Sequence, residues 1–335
     1  MSTTRIRTQL AAIAVAVMCG TAPAKAEIKS LTIGTNPSGT VFYLLGGGFA
    51  KLFQQELKIR SVAQPNGGAS VYLPLLDNGE MSLGMVSSIE SALAYSGTAP
   101  FNKPMSNVRA LAMVWNIPYA FIVREDSGIR SVAELKGKKV MITMPTNASL
   151  TNLNIASLKT GGLTEQDVTA MTSGGLIKGV EAVTEGRADA APIATAVPAL
   201  SKAHNSVPGG LRILPMGDAV SDAEFSAMVP GVSMWMHPPM KSRPYVRDKT
   251  KVALYGAYLN ISGSMADDDA YLLTKTVHEN WEKFQKDYPP TRGVKQNQLA
   301  PVPNAIPYHN GAVRFYKEAG LWTADHDKAQ ASLLK

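Results

Sequence analysis

The chain has 335 residues, of which 45% are hydrophobic, so it is long enough to form two packed domains of ordinary size. Its one cysteine, Cys19, lies in an amino-terminal segment that we expect to be removed, which excludes disulfides, thiolate metal sites and cysteine nucleophiles from the mature chain. The net charge of +7 comes from scattered Lys and Arg residues with no run of five, and this pattern argues against nucleic acid as a partner.

Residues 1–26 have the pattern of a secretory signal peptide. Arg5 and Arg7 precede an apolar stretch from Leu10 to Met18, and Ala24-Lys25-Ala26 is a small-residue cleavage pattern. The apolar stretch is too short to span a bilayer, and no later stretch approaches the roughly 20 apolar residues that a membrane helix needs. The sequence therefore predicts an exported soluble protein that begins near Glu27.

The mature chain opens with a predicted strand, a polar loop and a helix. The strand is the apolar run at residues 31–33, the loop that follows is rich in Gly, Asn, Pro and Ser, and apolar residues recur at helical spacing over residues 44–53. Such a loop lies where α/β proteins bind ligands, and the free N–H groups of the helix start favour an anion. Ser38, Thr40 and Tyr43 add hydroxyls that can orient a ligand.

The same loop also has a purely structural interpretation, because Gly and Pro residues are common in turns that bind nothing. Gly34 and Gly39 are too far apart for the dinucleotide pattern G-x-G-x-x-G, and no Lys-Ser or Lys-Thr follows Gly39 as it would in a phosphate-binding P-loop. The loop by itself therefore leaves both interpretations open.

Two further junctions between strand and helix repeat the pattern. The predicted strand 59–63 leads through the loop 64–70 to a helix for which Ser70 is a candidate N-cap. The predicted strand 81–86 leads directly to Ser87 and Ser88 at the start of another helix. If the strands are parallel neighbours, the three helix starts converge on one edge of the sheet. The candidate ligand-binding residues on this edge are Ser38, Thr40, Tyr43, Gly68, Ser70, Ser87 and Ser88.

The chain is predicted to cross into a second domain near residue 116. A strand at 108–113 is followed by an expected interruption at Trp115-Asn116-Ile117-Pro118, and a further strand continues at 119–123. The long apolar stretch at 252–261 is the predicted return crossing. These crossings predict a discontinuous domain I, residues 27–116 and 253–335, and a domain II, residues 117–252.

Domain II is predicted to present two similar loops. The predicted strand 139–144 is followed by the polar loop 145–149 and a helix over 150–160, and Ser173-Gly174-Gly175 precedes a helix over 176–185. Thr146, Asn147 and Gly174 are therefore the candidate binding residues of this domain. Further expected features are a one-turn helix after Ser131, a strand at 211–215 and a helix capped by Ser221.

A weak internal repeat relates the two predicted domains. Residues 75–85 and residues 182–191 each read as a helix end, a glycine C-cap and a short buried strand. One α/β unit used twice, with a ligand between the copies, explains the repeat. Because helix, glycine and strand form a common unit, chance remains an alternative explanation.

The carboxyl-terminal part adds predicted helices at 267–286 and 313–319. Asp267-Asp268-Asp269 opens the first of these, and three acidic residues at a helix start complement the helix dipole. A divalent-metal site is the alternative, but no other ligand pattern supports it. We therefore expect a solvated helix start.

Patterns typical of catalysis do not occur. The five histidines, His204, His237, His278, His309 and His326, show no i,i+3 or i,i+4 pairing, and the motifs HExxH, CxxC and GxSxG are absent from the sequence. The candidate loops contain Ser, Thr, Asn and Gly, which bind ligands by hydrogen bonds. The sequence thus predicts a binding protein with no cofactor and no metal rather than an enzyme.

These residues resemble the TAXI family, the TRAP-associated extracytoplasmic solute receptors of bacteria. Residues 33–43, IGTNPSGTVFY, resemble the family's IGT-x-x-x-G-T-Y-Y start, and PNGGAS at 65–70 resembles its x-T-G-G-S loop. Residues 303–320, PNAIPYHNGAVRFYKEAG, resemble its carboxyl-terminal signature. The resemblance covers essentially the whole mature chain.

The resemblance implies an α/β fold of the type II periplasmic-binding-protein kind, with a ligand cleft between two domains. It implies a periplasmic, monomeric receptor that delivers a small carboxylate or amino acid to the membrane subunits of a TRAP transporter. By position it assigns Trp115 and Asn116 to the crossing, beside the cleft loops named above. Family members commonly carry aromatic-Pro-Glu at the crossing and glycines in the second-domain loop, and this chain lacks both, which affects the expected ligand.

Two alternatives to a transport receptor remain at this point. One is a secreted enzyme on the same architecture, because a fold does not fix a function. The other is a receptor that presents its ligand to a membrane sensor without transport. The candidate loops contain no Arg for a bidentate carboxylate contact, so an anion would depend on helix starts and hydroxyls.

Overall fold

A computed structural model describes residues 28–145 and 147–335. The predicted signal peptide and Thr146 lie outside the described residues. Within the described ranges the chain forms ten strands and eleven α-helices. No helix in these ranges is long and apolar enough to cross a membrane.

The strands are β1 (Ser30–Thr35), β2 (Arg60–Pro65), β3 (Leu83–Ser87), β4 (Val108–Arg124), β5 (Lys139–Thr143), β6 (Thr169–Thr172), β7 (Ala190–Ala194), β8 (Leu211–Ile213), β9 (Val232–His237) and β10 (Thr250–Ser262). The helices are α1 (Val41–Leu57), α2 (Ala69–Asp77), α3 (Ser88–Ser96), α4 (Ala148–Thr160), α5 (Leu176–Thr184), α6 (Pro198–Ser206), α7 (Asp222–Met228), α8 (Asp267–Glu279), α9 (Trp281–Asp287), α10 (Asn310–Glu318) and α11 (Ala324–Leu333).

The strands form one mixed sheet in the order β2-β1-β3-β10-β4-β7-β5-β6, with β8 paired to β4 and β9 paired to β10. The two longest strands, β4 and β10, lie antiparallel in the middle of the sheet. On one side β10 pairs antiparallel with β3, and on the other side β4 pairs antiparallel with β7. The long strands therefore connect two outer groups of parallel strands.

The two outer groups have the same topology. The first unit, residues 30–96, runs β1-α1-β2-α2-β3-α3, and its strands lie in the order β2-β1-β3. The second unit, residues 139–206, runs β5-α4-β6-α5-β7-α6, and its strands lie in the order β6-β5-β7. Gly79 and Gly186 end corresponding helices with φ of +82° and +74°, which favours glycine. The predicted repeat is thus present as a repeat of topology.

Helix α1 is held close to the sheet by its glycines. Leu45, Phe49 and Phe53 recur at helical spacing and are fully buried. An added Cβ at Gly46 would lie 2.4 Å from Cγ2 of Thr35, so only glycine allows this approach of α1 to β1. The apolar spacing and the glycine together fix the position of the helix start.

The sheet separates the hydrophobic core into distinct layers. The largest cluster surrounds the first unit and the carboxyl-terminal helices, where Phe49 stacks on Phe284 at a centroid distance of 4.5 Å. Where β4 borders the second unit, Ile122 belongs to one cluster, and Phe121 and Val123 belong to another. Because alternate residues of a strand point to opposite faces, both faces of this part of the sheet are covered.

The expected interruption at residues 115–118 is wrong, because β4 continues from Val108 to Arg124. Trp115 pairs with Ala257 and Met113 with Tyr258, so one residue between them is bulged, and the strand keeps its partner on both sides. Pairing with β7 begins only at the residue after Pro118. Pro118 therefore lies next to this ladder, and it does not end the strand.

Several other local expectations also need correction. Ser70 lies inside α2 and does not cap it, since Gly68 occupies the N-cap position and no side chain caps this helix. The helix expected over 267–286 is two helices separated at Asn280. Strand β9 and helices α6 and α11 were not predicted.

The acidic start of α8 is a solvated helix start, as expected. Asp268 is exposed and pairs with Arg314 at 2.7 Å. Across residues 28–145 and 147–335, no group of three or more His, Cys, Asp or Glu side chains is arranged to hold a metal ion. The Asp cluster thus complements its helix dipole and a neighbouring helix.

Candidate functional site

A cavity of about 340 Å³ lies between the first and second units. Its walls come from the starts of α1 and α3 in the first unit, from the starts of α4, α5 and α6 in the second unit, and from both long strands. Its polar lining residues are Asn36, Thr40, Ser87, Glu90, Asn147, Ser149 and Lys178. Its larger apolar lining residues are Phe42, Trp115, Ile117, Leu150, Leu176, Ile177 and Tyr255.

Two helix starts of the first unit, those of α1 and α3, are capped by side chains. Thr40 Oγ1 accepts a hydrogen bond from Tyr43 N at 3.2 Å and donates one to Pro37 O at 2.7 Å. Ser87 Oγ accepts a hydrogen bond from Glu90 N at 3.1 Å and donates one to Glu90 Oε2 at 3.0 Å. These caps hold the hydroxyls in place at the cavity wall and satisfy one N–H group in each helix.

The helix starts of the second unit differ, because neither α4 nor α5 has a side-chain cap. Asn147, at the N-cap of α4, accepts a hydrogen bond from Ser149 Oγ at 2.6 Å. Gly175, at the N-cap of α5, has a φ of +144° that favours glycine. Neither helix has an acidic residue in its first turn. In α4 the N–H of Leu150 donates to Asn147 O at 3.1 Å, and the N–H groups left without an acceptor at the two helix starts favour an anion or another acceptor on this wall.

Glu90 is the acidic residue of the cavity. Burial raises the pKa of its carboxyl group, and the hydrogen bonds from Ser87 lower it by less. The other charged lining residue, Lys178, pairs with Glu181 at 2.8 Å and is mostly exposed. None of the described Lys, Arg or His side chains forms an ion pair with Glu90. The carboxyl group thus lacks a countercharge in this part of the chain.

The apolar wall consists largely of aromatic rings. Phe42 and Trp115 pack edge to face at a centroid distance of 6.2 Å, and Tyr255 packs against Tyr119 at 6.0 Å. Tyr255 reaches the cavity because β10 pairs with β4 there, opposite Ile117. Burial raises the pKa of Tyr255, with a further increase from Glu90, so its hydroxyl stays protonated.

Asn36 belongs to the first-unit wall, and part of its side chain is buried behind the cavity surface. Its Oδ1 atom is buried and has no hydrogen-bond partner within the described residues. A buried amide oxygen without a donor is unfavourable by about 1–3 kcal/mol.

The structure brings five of the predicted site residues to the cavity: Thr40, Ser87, Trp115, Asn147 and Gly174. Ser38, Gly68, Ser70, Ser88 and Asn116 lie outside its lining, and Tyr43 lines an adjoining surface hollow. Ser88 Oγ instead donates a hydrogen bond to Gly231 O at 2.6 Å, and Asn116 Nδ2 donates one to Gly293 O at 3.4 Å. Thr146 lies outside the described residues.

Several lining residues were missed by the sequence reasoning, among them Asn36, Glu90, Ser149, Lys178 and Tyr255. Glu90 does carry a signal, since Ser87-x-x-Glu90 has the spacing of a capping box. Asn36 lies in the first polar loop, two residues before the predicted site residue Ser38. Tyr255 has no local signal, because only the pairing of β10 with β4 places it in the cavity.

Comparison with known proteins gives one family and many similar structures. The model of the NMT1-like family matches residues 33–320. A structure of XAC2383 from Xanthomonas citri bound to ATP superposes with a TM-score of 0.53 at 12% identity, covering 92% of this chain and 100% of that one. PhnD1 from Prochlorococcus marinus in complex with methylphosphonate superposes with a TM-score of 0.56 at 12% identity, covering 88% of this chain and 100% of that one. At this identity the likeness concerns the fold, and it confirms the predicted α/β periplasmic-binding-protein class.

Proposed function

The chain belongs to the NMT1-like family, and we propose that it is a solute-binding receptor rather than an enzyme. It captures a small organic acid or amino acid in the cavity between its two units. The observation that carries this proposal is the convergence of helix starts from both units on one cavity. The volume of about 340 Å³ falls at the lower end of the range for small-molecule sites, which suits a small solute.

The division of the walls supports a closing mechanism. We assign residues 27–116 and 253–335 to domain I and residues 117–252 to domain II, with β4 and β10 as the crossing strands. A ligand that touches both walls binds the closed arrangement more tightly than the open one, and it shifts the population toward closure by that difference. Thr40 and Ser87 act from one wall, and Asn147 and Gly174 act from the other.

We further propose that the receptor is of the TAXI kind and works as a monomer in the periplasm after its signal peptide is removed. It then delivers its ligand to a TRAP-type membrane transporter. The motifs at 33–43, 65–70 and 303–320 support this assignment. An ion-gradient transporter supplied by a binding protein also fits a site with no catalytic constellation among its lining residues.

Native mass spectrometry of the signal-cleaved protein, before and after mild denaturation, tests the proposal. We expect a small molecule to be released at a ratio of one to one with an unchanged mass. Solution scattering should then show the emptied protein contracting when this molecule is added back. Turnover of the molecule would favour an enzyme, and tight binding without contraction would contradict the closing mechanism.

A further inference from the structure

The two walls of the cavity have opposite hydrogen-bonding character. The first-unit wall presents an acceptor, the carboxyl group of Glu90, beside the capped starts of α1 and α3. The second-unit wall presents the starts of α4 and α5, which have no side-chain caps and no acidic residues in their first turns. A ligand that satisfies both walls must therefore have a donor end and an acceptor end.

Glu90 is held in place, but its charge is not balanced. Ser87 Oγ donates to one carboxyl oxygen and accepts from the backbone N–H of Glu90, which fixes the side chain at the first turn of α3. The one cationic lining residue, Lys178, is at the rim and pairs with Glu181. Burial disfavours the ionised form of an unpaired carboxyl group, so a cation on the ligand would stabilise the Glu90 carboxylate.

The surroundings of Glu90 suit an organic cation better than a metal ion. Phe42, Trp115 and Tyr255 line the same cavity, and aromatic rings attract ammonium groups as well as burying their carbon atoms. The described residues offer no cluster of three or more metal-ligating side chains. Burial also raises the pKa of the Glu90 carboxyl group, and an adjacent ammonium group would offset that desolvation.

We propose that the ligand of this site carries a protonated amine, which Glu90 binds, while its acidic end points to the starts of α4 and α5. This inference rests on the proposed receptor function and narrows it to amine-bearing acids. Simple carboxylates without nitrogen are then poor ligands. Glu90 acts as the specificity-determining residue.

The test uses matched probes that differ only at the amine. L-glutamate, L-leucine and L-phenylalanine are each compared, by calorimetric titration, with the 2-hydroxy acid of the same carbon skeleton. We expect at least one amino acid to bind the unaltered protein at least tenfold more tightly than its hydroxy acid. Stronger binding of a hydroxy acid, or equal binding of both members of every pair that binds, would overturn the inference and leave the receptor function intact.

Glu90→Gln supplies the second measurement, because its amide oxygen can still accept the hydrogen bond of Ser87. We expect the amino acid to lose ten- to a hundredfold in affinity and the hydroxy acid to change by less than threefold. Glu282→Gln, on the exposed face of α9, is the matched control and should change neither affinity. Unchanged preference for the amine in Glu90→Gln would overturn the role of Glu90.

The two levels of the proposal fail in different ways. If native mass spectrometry of the unaltered protein shows no bound molecule and no probe binds, the receptor function fails and this inference fails with it. If a bound molecule is found and contains no basic nitrogen, only the inference fails. The comparison of probes on the unaltered protein needs no variant, so a folding defect in Glu90→Gln would not obscure the result.

Discussion

The two units share one topology, but they contribute different chemistry to the cavity. In the first unit, Thr40 and Ser87 cap α1 and α3, and the wall between them carries the carboxyl group of Glu90. In the second unit, the corresponding starts of α4 at Asn147 and of α6 at Val197 have no side-chain cap. The comparison shows that a repeated unit can keep its strand order while the capping of its helix starts diverges.

The cores of the two units differ as well. The first unit is packed against the carboxyl-terminal helices through stacked rings, with Trp281 lying 5.7 Å from Phe284 in parallel orientation. The second unit and the end of β4 beside it contain two smaller clusters. Next to them, Glu125 forms ion pairs with Arg212 at 2.9 Å and with Arg247 at 3.1 Å. These cationic partners hold the pKa of Glu125 below its usual range, against the opposing effect of burial. The first unit thus has the larger core.

The largest effect is expected from truncating the aromatic stack. Trp281 is fully buried and donates its indole N–H to Val294 O at 2.8 Å, so Trp281→Ala should lower the free energy of unfolding by about 3–5 kcal/mol. Urea denaturation followed by circular dichroism measures this loss. Trp235→Ala is the control, since Trp235 is 37% exposed on β9 and should change stability by less than about 1 kcal/mol. Equal losses in both variants would contradict the assigned core.

The paired glycine turns provide the next comparison. Gly186→Ala meets no atom within 4 Å and should cost only the left-handed backbone strain, about 1–2 kcal/mol. Gly79→Ala places a Cβ 2.8 Å from Ser264 Oγ, which is hydrogen-bonded to Ser262 Oγ at 2.9 Å. Losing that bond should add about 1 kcal/mol. The free energies of unfolding of the two variants are measured under the same conditions. A lower stability of Gly186→Ala than of Gly79→Ala would contradict this explanation.

A smaller change in stability is expected from substitutions at the helix starts of the two units. Ser87→Ala removes a cap and should lower the free energy of unfolding by about 1 kcal/mol. Asn147→Ala removes no cap but takes away the acceptor of Ser149 Oγ, so it should cost no more than about 1 kcal/mol, and it should weaken binding of the co-purified solute because Asn147 lines the cavity. Thermal unfolding and titration of each variant separate the two effects. A larger stability loss in Asn147→Ala would reverse the assignment of capped and uncapped walls.

The smallest expected effect is on the pH dependence of stability. Burial lowers the pKa of His237, and the charge of Arg243 lowers it further. The hydrogen bond from His237 Nδ1–H to Pro238 O, at 2.7 Å, raises this pKa, but by less than burial lowers it. The unfolded chain takes up a proton near pH 6.5, so it binds more protons than the folded chain, and stability falls as the pH drops below this value. Melting temperatures between pH 7.5 and 5.5 should decrease, and the decrease should be smaller in His237→Gln. An unchanged slope in the variant would exclude this contribution.

The sequence by itself determined the features that depend on neighbours along the chain. Helical spacing in α1, the cap at Ser87, the capping box at Ser221 and the glycine turns at Gly79 and Gly186 are local, because each is satisfied by atoms a few residues away. The α/β class and the repeated unit follow from them. Of the candidate residues in these loops, Thr40, Ser87, Asn147 and Gly174 do line the cavity.

Only the tertiary structure decided what depends on strands that are distant in sequence. The continuity of β4 past Pro118 comes from its pairing with β10, more than 130 residues away, and the same pairing carries Tyr255 to the cavity. Ser88 has the same local pattern as Ser87, yet its hydroxyl bonds to Gly231 because the packing turns it away. Burial without a neighbouring cation raises the pKa of the Glu90 carboxyl group, and only the folded chain sets this environment. Local hydrogen bonds can be read along the chain, whereas side-chain direction and charge balance are set by residues that meet only in the folded protein.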